Sequence, residues 1–336
     1  MTFSVLKSGL SASVLVLALA TSACAQEPQD NARAQDRAES TIVQEDAGGS
    51  AAVATPTAQP GDDVIANAPA EAWRVVDPEN MLIITTNGGK VYVELAPEFA
   101  PNHVARMKQL ARENFYRYTV WHRVIGDFVA QGGGMIDNPN HGADHLPGVE
   151  AEFTRGRSAA DGIEISELMM RARTQRGSSA EARAGFWNGF QAGTQPIAQA
   201  AIRADGQVES WLLHCHGAAS AARTNDPNSF RSQFYITTGH AEHLNTQYTV
   251  WGRVRAGLEV IDAIPEGTLG ESMGYRPVII EDIQVASDVP DSERSTIEVM
   301  RTDGPSFAQY LDALKQARGG QLPDVCDITV PARVTE

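Results

Sequence analysis

The chain is poor in positive charge. It holds 27 Lys and Arg residues against 42 Asp and Glu residues, which gives a formal net charge of −15. A protein that binds the phosphate backbone of nucleic acids needs a basic surface, so this balance argues against nucleic acid as a partner. The deficit is concentrated near the start, because residues 25–80 contain eleven acidic and three basic residues, a net charge of −8.

Long apolar runs are also missing. The one extended run, Val14–Ala20, is too short to cross a bilayer as a stable helix. Lys7 precedes this run and the small residues Thr21–Ala25 follow it, which is the pattern of an export signal. We therefore predict that residues 1–24 are a signal segment and that the protein is exported to the periplasm or to a membrane of the cell envelope.

The start of the mature chain has two interpretations. Cleavage after Ala25 would release the chain from the membrane. Alternatively, the stretch Ala20–Cys24 resembles a bacterial lipoprotein box, and a Cys directly after the apolar run favours lipidation of Cys24. Several acyl chains on Cys24 would anchor the protein stably in a membrane.

Cysteine is scarce, with three residues in the whole chain. Besides Cys24, the mature protein contains Cys215 and Cys326, and an oxidising compartment permits a disulfide between them. Two separate buried thiols are the alternative, because the sequence does not show whether the two Cα atoms come close enough.

Aromatic residues are scarce between residues 25 and 72, a stretch rich in Ala, Gln, Pro and acidic residues. Such a composition buries too little apolar surface to offset the entropy lost on ordering, so we predict a disordered tether. The folded body is then expected over residues 73–287, with a C-terminal extension over residues 288–336.

Many short strands are predicted in the body. Leu82–Ile84 and Val91–Val93 flank Asn87–Gly89, a strong hairpin signal. Helical spacing follows Pro101 and recurs from Leu258 to Ile264. Further strands are predicted in the ranges 120–131 (two strands turning at Gly126-Asp127), 207–215, 232–238, 249–254 and 278–285. This pattern predicts a mainly β fold, a closed eight-stranded antiparallel barrel with two capping helices and a site on its outer wall.

Two segments do not belong to the predicted barrel. Residues 136–211 form a long insertion, expected at the surface beside the binding face. In the extension, Ser306 and Gln309 form a capping-box pattern before the apolar stripe Phe307–Leu314. We predict one helix there, which ends near Gly319 and packs on the barrel.

The functional signal comes from Trp121–Gly134 and Ser232–Thr238. Each segment combines a β-rich apolar run with one or two polar groups that can reach a ligand. Alternation along a strand predicts that Trp121 and Arg123 share a face, with the guanidinium aimed at a drier cleft. The alternative is an Arg that extends its charged end from an exposed sheet face to water.

These segments resemble the cyclophilin family of peptidyl-prolyl isomerases. The resemblance covers residues 81–135 and 212–287. Its matching stretches are the hairpin Met81–Leu95, the helix Ala100–Leu110, Phe115-Tyr116, His122-Arg123, Phe128 with Gln131-Gly-Gly, Ser232–Thr238, Leu244 and Thr249–Val254.

The resemblance implies an isomerase that needs no cofactor and no metal. Rotation about an Xaa–Pro bond meets a barrier of about 20 kcal/mol, because amide resonance must be broken. A guanidinium placed against the prolyl nitrogen stabilises the twisted bond more than the planar one, which is the differential binding that catalysis requires. The implied partners are proline-containing polypeptides, here unfolded or extended chains in the cell envelope.

The resemblance also implies roles for individual residues. Arg123 is the catalytic residue, Phe128 and Val129 form the apolar floor, and Gln131 orients Arg123 and the substrate backbone. Cys215-His216 aligns with the family's Ala-Asn pair and is followed by about a dozen extra residues. The other predicted substrate-binding residues are Gln233, Tyr235, Leu244, His243 (where many members have Trp) and Tyr248 (where they have His).

Other chemistries find little support in the sequence. His214 and His216 place two imidazoles on one strand face, but a closed zinc site needs four ligands, so no metal is predicted. No Gly-x-Ser-x-Gly elbow of a hydrolase occurs. Two alternatives to an isomerase remain: a module that binds proline-containing peptides without turnover, and an envelope scaffold that uses the insertion and the extension.

Overall fold

The computed structural model of the protein describes residues 59–139, 141–158, 160, 165–172 and 182–335. The predicted signal segment, Cys24 and the tether as far as residue 58 lie outside these ranges. Among the described residues, no helix combines the length and the apolar character needed to cross a bilayer.

The described residues form short strands and a few helices. The helices are α1 (Asp62–Ala66), α2 (Pro101–Arg112), α3 (Leu258–Asp262) and α4 (Pro305–Ala317). The strands are β1 (Trp73–Val75), β2 (Met81–Thr86), β3 (Gly89–Leu95), β4 (Thr119–Ile125), β5 (Val129–Gly134), β6 (Arg155–Arg157), β7 (Ser166–Arg171), β8 (Arg183–Trp187), β9 (Phe190–Thr194), β10 (Val208–Leu212), β11 (Ala218–Ala221), β12 (Phe234–Thr237), β13 (Val250–Ala256), β14 (Gly267–Thr268), β15 (Ile279–Val285), β16 (Thr296–Met300) and β17 (Ala332–Thr335).

Eight strands close into an antiparallel barrel, which confirms the predicted fold. Their order is β4-β15-β2-β3-β13-β11-β12-β5, and the pairing of β5 with β4 closes the ring. The short strand β14 extends β4 outside the ring. Alternation on β2 separates two cores, because Leu82 and Ile84 fill the barrel whereas Met81 and Ile83 face outward into a second apolar cluster. Both predicted helices, α2 and α3, are present.

The insertion forms a sheet of its own, in the order β6-β10-β9-β8-β7. Its strands β8 and β9 are buried on both faces. Trp187 and Phe190 pack with Phe99 and Val250 of the barrel, whereas Phe186 packs edge-on against Phe307 of α4 at 5.0 Å between ring centroids. The predicted strand 207–215 therefore belongs partly to the insertion, as β10. The barrel uses β11 instead, whose small residues give no apolar pattern to detect.

The extension contains more than the predicted helix. Strands β16 and β17 join β1 in a three-stranded sheet, and α4 packs its residues Phe307 and Tyr310 in the second apolar cluster. The predicted capping box does not form, because α4 begins at Pro305 behind Gly304 and no side chain caps it. Ser306 lies inside the first turn.

The predicted tether is too long at its C-terminal end. Residues 59–72 include α1 and a short 3-10 turn, Ala70–Ala72. Val64, Ile65 and Ala68 pack against the second apolar cluster, so a few apolar side chains suffice to order this stretch once a partner surface exists.

Two features attach the insertion and the extension to the barrel. Cys215 and Cys326 form a disulfide between the barrel and the extension. The second feature is a buried ion cluster in which Glu94 accepts hydrogen bonds from Arg74 at 2.9 Å and from Arg255 at 2.6 Å. The same two guanidinium groups donate to the carbonyl oxygens of Asn188 and Gly189 in the β8–β9 turn, at 2.6 and 2.8 Å.

Candidate active site

Arg123 reaches the outer wall of the barrel because β4 contains a bulge. Trp121 pairs with Gly132 and Arg123 with Gln131, so β4 uses one residue more than β5 between these pairs. The bulge reverses the alternation. Trp121 is fully buried in the barrel, whereas Arg123 lines an outer pocket. The prediction that Trp121 and Arg123 share a face is therefore wrong, and the bulge is the reason.

The pocket beside Arg123 has a volume of about 230 Å³. We call it the Arg123 pocket. It brings together most of the residues predicted for the substrate site. Its lining residues are Arg123, Phe128, Val129, Gln131, Ala222, Arg223, Tyr235, Leu244 and Tyr248.

An apolar floor lies opposite the guanidinium. Val129, Tyr235 and Leu244 are buried together, with Phe128 packed against them. Phe128 and Val129 can both reach the pocket because Phe128 precedes β5, in a turn where Asp127 has a left-handed φ of 52°. Strict alternation would put the neighbours Phe128 and Val129 on opposite faces, and this turn supplies the bend that brings both to the pocket.

Gln131 is held by a chain of amide hydrogen bonds. Its Nε2 donates to Gln233 Oε1 at 3.1 Å. Gln233 in turn donates from its own Nε2 to the carbonyl oxygens of Pro139 and His141, at 3.1 and 2.8 Å. Gln233 is absent from the lining of the Arg123 pocket, so its contribution is to orient Gln131.

A polar network supports the floor from behind. The Tyr235 hydroxyl lies 3.1 Å from His214 Nε2, and His214 Nδ1 lies 3.2 Å from Asn245 Oδ1. Burial lowers the pKa of His214 to about 4 and raises the pKa of Tyr235 well above its ordinary value. Both groups are therefore neutral near pH 7, and Asn245 connects the network to the pocket edge at Leu244.

The rim carries two further predicted residues. His243 is exposed and stacks on Phe128, with 5.3 Å between ring centroids. Tyr248 lines the pocket, and the guanidinium of Arg223 lies 4.2 Å from the centroid of its ring.

Cys215 and His216 lie outside the pocket, so their predicted roles in substrate binding are wrong. Cys215 is buried in the second apolar cluster and bonded to Cys326. His216 pairs with Asp262 on α3, at 2.8 Å from Nε2 to Oδ1. His214 and His216 thus have different partners, and the described residues contain no group of three or more His, Cys, Asp or Glu suited to a metal ion.

Ala222 and Arg223 line the Arg123 pocket, in the place expected for Cys215-His216. They follow β11, and β11 pairs with β12 so that Ala221 lies opposite Phe234. The dozen residues interpreted as extra are therefore strand β11 and the turn that joins it to β12. The long connection over residues 222–233 leaves the register of β11 against β12 without a local signal, so the sequence does not point to Arg223.

The guanidinium of Arg123 makes no hydrogen bond or ion pair with any residue that the structure describes. It is half-buried beside an apolar surface. Five N–H donors are therefore available to a ligand that rests on the floor. This arrangement can stabilise a developing lone pair on a substrate nitrogen, and the pocket contains no nucleophile placed for covalent chemistry.

Comparison with known proteins gives a consistent result. A family model described as cyclophilin-type peptidyl-prolyl cis-trans isomerase/CLD matches residues 81–285. A probable peptidyl-prolyl cis-trans isomerase of Brucella suis is 31% identical over 196 residues, which cover 58% of this chain and 76% of the relative. A peptidyl-prolyl cis-trans isomerase of Acinetobacter baylyi is 25% identical over 217 residues, 62% of this chain and 86% of the relative.

A solved structure extends the likeness beyond the range of the family model. The crystal structure of cyclophilin AquaCyp293 from Hirschia baltica is 36% identical in sequence, with a TM-score of 0.67. The match covers 78% of this chain and 93% of that one.

Proposed function

Because the chain belongs to the cyclophilin-type peptidyl-prolyl cis-trans isomerase family and is such an isomerase, we propose that Arg123 performs the reaction without covalent chemistry. The observation that carries this proposal is the unpaired Arg123 guanidinium above the floor of Phe128, Val129 and Leu244. A proline ring placed on that floor brings its nitrogen toward the guanidinium. The twisted state, in which the nitrogen regains its lone pair, is then bound more tightly than either planar isomer.

The surrounding residues have supporting roles in this proposal. Gln131, held by Gln233, orients the substrate backbone. Tyr235 completes the floor beside Leu244, and His243 covers Phe128 at the rim. A fixed donor in a site that excludes water contributes about 3–4 kcal/mol to transition-state binding, so removing Arg123 should slow turnover about 10²- to 10³-fold.

Isomerisation measured by NMR exchange on a short proline peptide, without a coupled protease, tests the proposal. Arg123→Ala should lose kcat/KM by that factor while still binding the peptide. Arg123→Lys should also be impaired, because an ammonium group lacks the planar fork. Arg117→Ala is the matched control, since Arg117 is exposed and stacks on Tyr118 away from the pocket.

Two outcomes would contradict the mechanism. Wild-type turnover in Arg123→Ala would remove Arg123 from catalysis. A wild-type protein that binds the peptide and leaves its exchange rate unchanged would instead favour the peptide-binding module.

The site of action is a second part of the proposal. We place the isomerase in the cell envelope, tethered through a lipidated Cys24, where it assists the folding of envelope proteins. The signal-like segment at residues 1–24 supports this location, and the disulfide between Cys215 and Cys326 suits an oxidising compartment.

Palmitate labelling and membrane fractionation test the tether. The wild-type protein should incorporate label and sediment with membranes, and Cys24→Ser should do neither. A wild-type protein that is unlabelled and begins at residue 26 would show that cleavage after Ala25 is used.

A further inference from the structure

A second and larger pocket adjoins the Arg123 pocket. It has a volume of about 450 Å³, and we call it the flanking pocket. The two pockets share Gln131, Ala222 and Arg223 in their linings. An extended peptide advances about 3.3–3.6 Å per residue, so a proline in the Arg123 pocket places a side chain one or two positions away over the flanking pocket.

Arg223 stands between the two pockets and is fixed in place. Its Nε and one terminal nitrogen donate to the carbonyl oxygen of Gln247 at 3.2 and 2.9 Å, and its other terminal nitrogen donates to the carbonyl oxygen of Thr224 at 2.7 Å. The guanidinium also stacks over the ring of Tyr248 and lies 5.6 Å from the ring centroid of Phe153. A ligand that binds Arg223 therefore costs little additional side-chain entropy.

The charge of Arg223 is not neutralised. Its described hydrogen-bond acceptors are backbone carbonyls, and no described carboxylate forms an ion pair with it. Two of its five N–H donors remain for a ligand. The carbonyl oxygens hold the guanidinium in position without cancelling its full positive charge.

The other charged residues that line the flanking pocket are Arg231 and Asp144. Arg231 forms an ion pair with Asp144 at 3.0 Å, and both side chains are exposed, at 44% and 81%. Such a pair contributes little and can be replaced by a ligand. Arg123 adds a third guanidinium on the adjoining pocket. This cationic lining contrasts with the net charge of −15 on the whole chain, whose distant charges are screened beyond about 10 Å.

We infer that the enzyme prefers substrates with an acidic side chain one or two residues before the proline, and that Arg223 determines this preference. The inference rests on the proposed function, because it concerns the same groove. A Glu or Asp carboxylate over the flanking pocket meets the two free N–H donors of Arg223 in a partly desolvated place, where a charge-assisted hydrogen bond is strong.

Matched peptides test the preference. Two peptide series carry Glu, Gln or Lys either directly before the proline or two positions before it, and kcat/KM is measured by NMR exchange. In one of the series, Glu should exceed Gln by about three- to tenfold at low ionic strength, and Lys should fall below Gln. The Glu/Gln ratio should shrink as salt is added, because salt screens the attraction.

Substitutions at Arg223 identify the source of the ratio. Arg223→Met should bring the Glu/Gln ratio close to one, and Arg223→Lys should keep part of it. Each ratio is taken within one variant, so a general loss of turnover in that variant cancels. Arg117→Met removes the same charge outside both pockets and should retain the wild-type ratio and activity.

Each result decides the inference. An equal kcat/KM for Glu and Gln peptides in both series, or a ratio that persists in Arg223→Met, would overturn it. An absence of turnover on every peptide would overturn the proposed function instead. Fluorescence titration of the same peptides would then decide the charge preference from the dissociation constants of the wild-type protein and Arg223→Met.

Discussion

The hydroxyl of Tyr235 donates its proton to Nε2 of His214 beneath the floor of the Arg123 pocket, across 3.1 Å. The direction of this hydrogen bond follows from Asn245. Its Oδ1 accepts from the backbone N–H of His214 at 2.9 Å and lies 3.2 Å from Nδ1, so the ring proton is on Nδ1 and Nε2 is the acceptor. The floor of the site therefore depends on a neutral imidazole.

This dependence makes the protein sensitive to acid. Unfolded His214 takes up a proton near pH 6.5, whereas burial lowers the pKa to about 4 in the folded protein. The free energy of unfolding should therefore decrease as the pH falls from about 6.5 to about 4, by up to about 3 kcal/mol from this group. Urea unfolding at pH 7.5, 5.5 and 4 measures the loss.

His214→Gln is the control for that experiment, because its amide does not titrate. The variant should be less stable than wild type at pH 7.5, and the difference should narrow toward pH 4. Parallel losses in the two proteins would show that His214 does not titrate in this range.

The amide pair Gln131–Gln233 should act as a unit. Gln233→Leu removes both the acceptor for Gln131 and the donor to the carbonyl oxygens of Pro139 and His141. We expect kcat/KM to fall about three- to tenfold, because a neutral hydrogen bond contributes about 1 kcal/mol. In a double-mutant cycle with Gln131→Ala, the two losses should be less than additive. Additive losses would mean that Gln233 acts independently of Gln131.

The disulfide should stabilise the fold without taking part in turnover. It closes a loop with a sequence separation of 111 residues, and the chain-entropy model gives about 4–5 kcal/mol for a loop of that size. The double variant Cys215→Ser/Cys326→Ser should unfold at a lower urea concentration, while kcat/KM at 25 °C stays near the wild-type value. An unchanged unfolding midpoint would contradict the assigned pairing.

Breaking the ion cluster at Glu94 should lower the free energy of unfolding. Glu94→Gln leaves the guanidinium groups of Arg74 and Arg255 buried without their carboxylate, at a cost of about 3–5 kcal/mol. Glu298→Gln is the matched control, because the pair of Glu298 with Arg333 is more exposed and should cost at most about 1 kcal/mol. Similar unfolding free energies for the two variants would show that water enters the cluster at Glu94.

Local pattern was sufficient to predict the barrel, and the resemblance to the cyclophilin family supplied most of the predicted site residues. The hairpin β2–β3, the helix α2 and the turn at Gly126-Asp127 all follow from short-range signals, and these elements place Arg123, Phe128 and Val129. The side of the sheet on which Arg123 lies could not be predicted from the sequence. A bulge depends on the pairing of two strands, and the alternation along one strand does not show it.

Long-range contacts explain the other differences. The alignment at Cys215-His216 was wrong because β11, with the sequence Ala-Ala-Ser-Ala, carries no hydrophobic period. The predicted tether extends too far along the chain because α1 gains its apolar contacts from α4, which is more than two hundred residues away in the chain. In each case the missing information was the identity of the neighbour in space.

The pairing of β2 with β15 also determines how long the nascent chain is prone to association. Ile83 pairs with Gln284, so one edge of β2 has no partner until the chain has been synthesised as far as β15. An open edge of this kind recruits strands from other molecules. A nascent chain of this isomerase thus needs protection from association for most of its own synthesis, before it can act on any other polypeptide.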